Sequence, residues 1–263
     1  MIHVNWNPLP HLGPVPINWY GLGAALAFVV AAALIFRWRG DAVITRSQLE
    51  SLLIWIGFGV VAGARLYYVV QNQPGDYFSH PWRIAEVWEG GLAFFGGLFG
   101  AILAAFIYVR TTGLSFAAVA DLFAPAIPIG AAIGRIACGL DGMDYGTPTS
   151  LPWGFIYINS NSYAPVDFVA RHPVQFYELI GDLLIAAILI RLRSRLGQGK
   201  LFLLYLVLFS VLRFELFFFR GNVPVVALGL KNAQWTALGI LAVAIPLLAI
   251  RGGSVPRSPT APE

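Results

Sequence analysis

The sequence predicts an all-α, polytopic membrane protein: a bundle of seven transmembrane helices with the N-terminus outside and the C-terminus cytoplasmic. Three observations carry that reading. Hydrophobic residues make up 58% of the chain and charged residues only 11%, against about 45–50% and 25% in soluble proteins. The apolar residues are gathered into runs long enough to span a bilayer, which takes about 20 residues of helix. These runs are apolar on most faces, without the period-2 alternation of a transmembrane barrel.

The runs are Trp19–Phe36, Leu49–Val70, Leu92–Val109, Phe116–Ala137, Val174–Ile190, Leu201–Phe219 and Ala233–Ile250. No Lys or Arg precedes the first, and that run is longer than the apolar core of a signal peptide, so no cleaved leader is expected. The second carries Arg65, and the fourth carries Asp121 near one end and Arg135 near the other. The fifth opens behind Pro173, a residue suited to a first helical turn, and the sixth holds Arg213 and Glu215. After the seventh, residues 251–263 read as a disordered cytoplasmic tail. Residues 1–250 form one membrane domain with no internal repeat.

Orientation follows from the basic residues, which gather on the cytoplasmic side. The segments after runs one, three, five and seven hold Arg37, Arg39, Arg46, Arg110, Arg191, Arg193, Arg195, Lys200, Arg251 and Arg257. The other side holds Arg83, Arg171, Arg220 and Lys231. This asymmetry accounts for the net charge of +4 through attraction to anionic lipid and calls for no nucleic-acid partner. The single cysteine, Cys138, excludes an intramolecular disulfide.

A guanidinium at the centre of a membrane helix costs at least about 2.5–3.5 kcal/mol, so Arg65, Arg135 and Arg213 need an ion pair, a wet cavity or an anionic ligand. Counted at about 1.5 Å per residue, Arg65, Arg135, Glu178, Arg213 and Glu215 fall at one outer level, and Asp182 lies a turn deeper. A polar chamber opening toward the outer leaflet is expected, with Asp121 a structural group at the inner end. In Gly134–Gly146, GRIACGLDGMDYG, the glycines and acids around Arg135 break the helix and bring backbone N–H groups and a planar fork of donors together, suited to phosphate. A satisfied arginine at an ordinary helix end fits the same residues. Residues 139–172 form a small extracytoplasmic head loop whose Trp153, Phe155, Tyr157 and Tyr163 suit the headgroup level. Gln175, Glu178 and Asp182 lie within about 60° of one another on the fifth helix. Arg213 and Arg220 share a face of the sixth, pointing away from Glu215, so Arg213 takes its anion from Glu178 or from a phosphate. Gly59–Gly63, Gly96–Gly100 and Gly130–Gly134 have the spacing of close helix contacts.

WYG at 19–21, GARLYYV at 63–69, WEGGLAFFGGLFG at 88–100, GRIACGLDGMDYG at 134–146, HPVQFYE at 172–178, LRFELFFFR at 212–220 and AQW at 233–235 stand in order along the chain. In this the sequence resembles the prolipoprotein diacylglyceryl transferase family over nearly its whole length. The resemblance implies transfer of diacylglyceryl from phosphatidylglycerol to the lipobox cysteine of a preprolipoprotein signal peptide, forming a thioether and releasing glycerol phosphate. It further implies a multi-pass protein of the bacterial inner membrane, an active site facing the outer leaflet among membrane lipids, and neither metal nor cofactor. By the same resemblance Arg135, Arg213 and His172 are the expected catalytic groups. Tyr20, Gly96, Gly97, Asp141, Asp144, Gly146, Gln175, Glu178, Arg220 and Gln234 are expected to bind substrate. The chain departs from the family at Phe95, where a histidine is usual, at Cys138 and Asp141, where asparagines stand, and at Met143, where the signature glutamate falls beside Asp144. A phospholipid-binding homologue without turnover would keep the arginines, whereas a transporter of anionic solutes would need polar groups through to the inner face.

Overall fold

The computed structural model describes residues 1–12, 15–16, 19–40, 43–72, 77, 79–87, 91 and 93–250. The tail at 251–263, and Trp88, Glu89, Gly90 and Leu92 of the third motif, lie outside the described residues. The helices are α1 (Trp19–Trp38), α2 (Arg46–Gln71), α3 (Phe94–Thr111), α4 (Phe116–Phe123), α5 (Ala126–Asp141), α6 (Val174–Leu192), α7 (Lys200–Leu216) and α8 (Asn232–Ile250). Short strands accompany them: β1 (Ile2–Val4), β2 (His11–Leu12), β3 (Val15–Pro16), β4 (Phe155–Tyr157), β5 (Val225–Ala227) and β6 (Leu230–Lys231). Among the described residues five segments are long and apolar enough to cross a membrane: Trp19–Trp38, Arg46–Gln71, Phe116–Asp141, Lys200–Phe219 and Asn232–Ile250. This is an all-α membrane protein. Of the other two expected spans, α3 contributes the shorter apolar helix Gly96–Thr111, and α6 carries Glu178, Asp182 and Arg191 within its 19 residues.

The chain divides into two compact units, Trp38–Val119 and the remainder. In the first, Thr45 caps α2 with a reciprocal pair of bonds to Gln48, satisfying two backbone donors that a helix start leaves open. Helices α2 and α3 meet through glycines. A β-carbon on Gly59 or Gly100 would strike the backbone of the other, and one on Gly63 or Gly96 would do the same, so the expected close contact holds for Gly59–Gly63 and Gly96–Gly100, whereas Gly134 of the third expected pair has nothing within 4 Å. Arg65 is buried here, with Nε donating to the Ile84 carbonyl at 3.0 Å, Nη1 to Gly91 at 3.3 Å and Nη2 to Arg83 at 2.5 Å. Backbone carbonyls meet the need that an intramembrane cation has for partners.

The run expected as one helix from Phe116 is broken. Helix α4 stops at Phe123 and α5 starts at Ala126, because Pro125 lacks an N–H and disfavours helix in the residue before it. Helix α5 then continues past the expected end at Ala137 to Asp141, closed by Gly142 in the left-handed conformation (φ 79°), which costs glycine nothing. Asp121 accepts the backbone N–H of Gly199 at 2.5 Å and of Phe202 at 2.8 Å. It thereby caps the start of α7, the structural part foreseen for it. A cluster of Ala124, Ile185, Leu189, Leu201 and Tyr205 fills the space between these elements.

The 139–172 loop is ordered. Strand β1 pairs in parallel with β4, and Phe155 and Arg171 exchange backbone bonds of 2.9 Å in both directions. Trp153 and Tyr163 are exposed as expected, but Tyr157 is 3% exposed and packs with Val4 and Ala164, with Phe155 against them. Tyr157 lies inward beside the equally buried Ile156, and its hydroxyl donates to the Gly139 carbonyl at 2.9 Å.

Candidate active site

Helix α6 is apolar on its outside and polar within. Gln175, Glu178 and Asp182 are buried while Ile180, Leu183 and Leu184 are exposed, the arrangement expected where hydrocarbon replaces water around a helix. Glu178, at the middle of the buried stripe, needs partners, and three arginines supply them. Arg135 Nε lies 2.8 Å from Glu178 Oε2, Arg213 Nη1 lies 2.7 Å from Oε1, and Arg220 Nη2 reaches both oxygens at 2.9 Å. Glu178 itself is 2% exposed. The anion required by Arg213 is thus Glu178.

Asp144 forms a second centre, with Oδ2 at 2.8 Å from Arg135 Nη1 and Oδ1 at 2.5 Å from Arg220 Nη1. Its placement is local. Beyond Gly142 the chain turns again at Asp144 (φ 61°), a left-handed conformation that aspartate tolerates better than most residues. The following residues pair with the end of the α7 segment: Thr147 N–H donates to Phe219 at 2.8 Å and Gly221 N–H to Tyr145 at 2.9 Å. This short ladder sets Asp144 beside Arg220. Burial alone would raise the Asp144 carboxyl, but Arg220, bonded to it, and Arg135 hold it below the ordinary carboxylate value. Asn222 adds a weaker contact at 3.5 Å.

The three guanidinium groups are not equivalent. The Arg220 side chain is 1% exposed and bridges both carboxylates, whereas Arg135 is 15% and Arg213 25% exposed. Among the described residues Glu178 is the only hydrogen-bond acceptor for Arg213, which otherwise rests on the rings of Phe209 and Phe217. Arg135 and Arg213 therefore keep donors that an oxyanion can reach, whereas the one unpartnered donor of Arg220, its Nε, is buried. The expected spacing of Arg213 and Arg220 along one helix is corrected: α7 ends at Leu216, residues 217–219 form a 3-10 turn, and Arg220 is extended. The two converge on Glu178 from a helix and from the turn after it.

The remaining expected site residues divide. Tyr20, part-exposed at the start of α1, lies within electrostatic range of Cys138, Arg135 and Asp144. Gln175 donates to the Met143 carbonyl at 2.6 Å, while its Oε1 is buried without a partner. Asp141 is fully buried, its carboxylate unbonded among the described residues and facing the Tyr20 backbone. Asp182 feels the charges of Arg135 and Arg213, and its Oδ1 is likewise unpartnered. At Gly146 a β-carbon would strike the backbone of His172, so this glycine lets the loop close. His172 sits 3.4 Å from the Tyr177 hydroxyl and packs on Phe219, and burial lowers its pKa, favouring the neutral ring. Gln234 bonds only backbone, donating to Phe214 at 3.0 Å and accepting from Lys231 N–H at 2.9 Å. Gly96 and Gly97 belong to the other unit, where Gly96 abuts Gly63 and Tyr67 and Gly97 faces Val60 and Ala64. Arg65 is also in that unit, and Glu215 is exposed on α7 outside the ion pairs. The single outer level of five charges thus reduces to Arg135, Glu178 and Arg213, joined by Asp144 and Arg220. Asn222 and Lys231 were not foreseen; the nearest signal was the glutamine of AQW three residues beyond Lys231.

Fold and site define a polytopic helical membrane protein with a buried guanidinium–carboxylate cluster able to take an anion. The model of the family described as prolipoprotein diacylglyceryl transferase matches residues 8–250. A protein of Aromatoleum aromaticum named phosphatidylglycerol–prolipoprotein diacylglyceryl transferase is 37% identical over 261 residues, covering 95% of this chain and 97% of its own. Proteins of the same name from Methylibium petroleiphilum and Bordetella avium are each 36% identical, over 94% of this chain and 97% and 95% of theirs. The chain belongs to the prolipoprotein diacylglyceryl transferase family and is a bacterial membrane protein.

Proposed function

We propose that this protein transfers the diacylglyceryl group of phosphatidylglycerol to the lipobox cysteine of a prolipoprotein. The cysteine sulfur attacks the glycerol carbon that carries the phosphate, a carbon–sulfur bond forms, and the carbon–oxygen bond breaks. Its electron pair leaves with the phosphate as glycerol phosphate. A thiolate and a phosphodiester, one negative charge each, become a neutral thioether and a phosphate monoester dianion, so negative charge gathers on phosphate as the reaction proceeds. Donors fixed at that point are the largest contribution a protein can make. The observation that carries the reading is the cluster itself: Glu178 gathers three guanidinium groups, and two of them, Arg135 and Arg213, remain partly open. The thiol has a reference pKa of about 8.5 and already supplies a few per cent of thiolate at pH 7, a fraction that adjacent cations raise. Phe95 in place of a histidine is compatible with turnover on that account.

The protein is placed in the inner membrane with the cluster toward the outer leaflet, a reading supported by the surplus of Lys and Arg on the opposite loops. Helices α3 and α6 cross as well, giving seven spans within one membrane domain of residues 1–250. At about 1.5 Å per residue, the 19 residues of α6 approach the thickness of the hydrocarbon layer. The deciding experiment is incubation of purified protein with phosphatidylglycerol labelled in its acyl chains and a lipobox peptide. Thioether-linked label on the cysteine is expected, whereas lipid binding without transfer would leave a non-catalytic homologue as the reading.

A further inference from the structure

Arg220 bridges both carboxylates of the cluster, yet no helix holds it. It follows a 3-10 turn in extended conformation (φ −70°, ψ 125°), and the aim of its guanidinium depends on how that turn is fixed. A helix end leaves its last carbonyls without intrahelical partners. Here the Phe214 carbonyl, and the Phe217 and Arg220 carbonyls of the turn beyond it, accept side chains from one short stretch at the start of α8. Lys231 Nζ donates to the Phe217 carbonyl at 2.8 Å and to the Arg220 carbonyl. Gln234 Nε2 donates to Phe214, and its Oε1 accepts the Lys231 N–H, so the amide that binds α7 also fixes the residue that binds the turn. Lys231 is 8% exposed. Burial, and then the charge of Arg220, press its pKa down. An ammonium stands beside the most buried guanidinium of the cluster against electrostatic preference, held by the two carbonyls of the segment that carries it.

We propose that Lys231 is the positioning residue for Arg220: by binding the carbonyls of Phe217 and Arg220 it fixes the turn so that the guanidinium spans Glu178 and Asp144. The consequence for transfer rests on the reading of the cluster as the phosphate site; the positioning itself does not. The opposite edge of the turn is bonded to residues 145–147, so Lys231 closes the one side that this ladder leaves open.

The test uses the purified full-length protein in detergent and has two arms. In the first, hydrogen–deuterium exchange compares wild type with Lys231→Met. The amides of Gly221 and Thr147, bonded across the turn, should exchange about tenfold faster in the variant, as local opening of a loosened segment requires. Unchanged protection overturns the proposal whether or not the protein proves to be an enzyme. The second arm is a double-mutant cycle on transfer from phosphatidylglycerol to a lipobox peptide. Lys231→Met should lower kcat/KM about 10- to 100-fold, the effect of a small misplacement. Combined with Arg220→Lys it should add little, because Lys231 matters only through the guanidinium it aims. Losses that multiply overturn the positioning role. Lys231→Arg, which keeps a cation with several donors, should stay within about threefold of wild type. If Lys231→Met does not fold, Lys231→Ala, which leaves no side-chain donor at the position, enters both arms, and wild-type protection there is equally decisive. Absence of transfer by wild type would defeat the reading of the site and leave the exchange result standing.

Discussion

Glu178→Gln removes one charge and little volume, so it isolates the electrostatic role of the carboxylate. In the native cluster that carboxylate lies within 2.7–2.9 Å of three arginines and is 2% exposed. Removing one partner from a buried ion pair costs about 3–5 kcal/mol, because an uncompensated charge stays behind. Glutamine keeps an acceptor oxygen, which places the expected loss near the lower end, at about 3 kcal/mol. At about 2–4 °C per kcal/mol for chains approaching this size, Tm should fall by about 6–12 °C. The loss should depend on lipid. A phosphate bound by Arg135 and Arg213 replaces the missing anion, so phosphatidylglycerol should recover much of the shift while an uncharged detergent recovers none. Thermal unfolding of wild type and variant, with and without phosphatidylglycerol, measures both. A variant within about 2 °C of wild type, or one that phosphatidylglycerol does not protect beyond its effect on wild type, would refute the assignment of Glu178 as the charge that phosphate competes with.

Arg135→Ala and Arg213→Ala should each reduce transfer at least about 10²-fold, and lysine should rescue poorly for want of a planar fork; near-normal turnover in folded Arg135→Ala ends the phosphate assignment. In a Cys138→Ala background, Ser160→Cys should react with an impermeant thiol reagent from outside and Ser194→Cys only from the cytoplasm, and the reverse pattern inverts the topology. Gly100→Ala drives a β-carbon into the Gly59 backbone whereas Gly239→Ala meets nothing within 4 Å, so only the first should lower Tm; equal values would show that α2 and α3 do not depend on that approach. His172 has a pKa lowered by burial, so its contribution to stability is full above the unfolded value of about 6.5 and is lost as pH falls through the folded value. Wild type should therefore lose more Tm than His172→Gln between pH 7.5 and pH 5, and parallel curves would remove the burial argument; these pH values are set at about one unit or more either side of the reference.

What the sequence made legible was chemistry concentrated in short stretches. Arg135 and Asp144 share one glycine-rich motif, and the stripe of Gln175, Glu178 and Asp182 follows from helical period alone. The need of Arg213 for a remote anion also followed, because Glu215 points elsewhere on the same helix. The parts that escaped depend on pairings between distant backbones. Arg220 reaches Glu178 because α7 tightens into a 3-10 turn, and nothing in LRFELFFFR marks where the helix stops. Depth counted along the chain put Arg65 and Arg135 at one level, but depth does not specify a neighbour, and Arg65 is satisfied by carbonyls of residues 83–91 in the other unit. Side chains that bind carbonyls, such as Lys231 and Gln234, leave no periodicity to read. Pro125 was visible, and its effect on α4 and α5 could have been anticipated from the missing N–H.

The geometry of Glu178 also bears on how such a site turns over. A cluster of cations with no internal anion would bind phosphate tightly in substrate and product alike, and interactions equal in both states do not raise kcat. On the proposed reading Glu178 is a competitor already in contact with all three arginines, so a phosphate that takes the donors it holds would displace part of an existing ion pair. The net gain from binding a singly charged diester is correspondingly small. On the function proposed above, the leaving phosphate would gather its second negative charge beside Arg135 and Arg213 after the cost of displacing Glu178 had been met, so the arginines would favour the transition state over the bound lipid. After the product leaves, the guanidinium groups return to the carboxylate instead of facing an apolar surround unpaired. Arg220, sealed between Glu178 and Asp144, takes no part in that exchange. On this reading it holds the two acids in place while the other two arginines exchange carboxylate for phosphate.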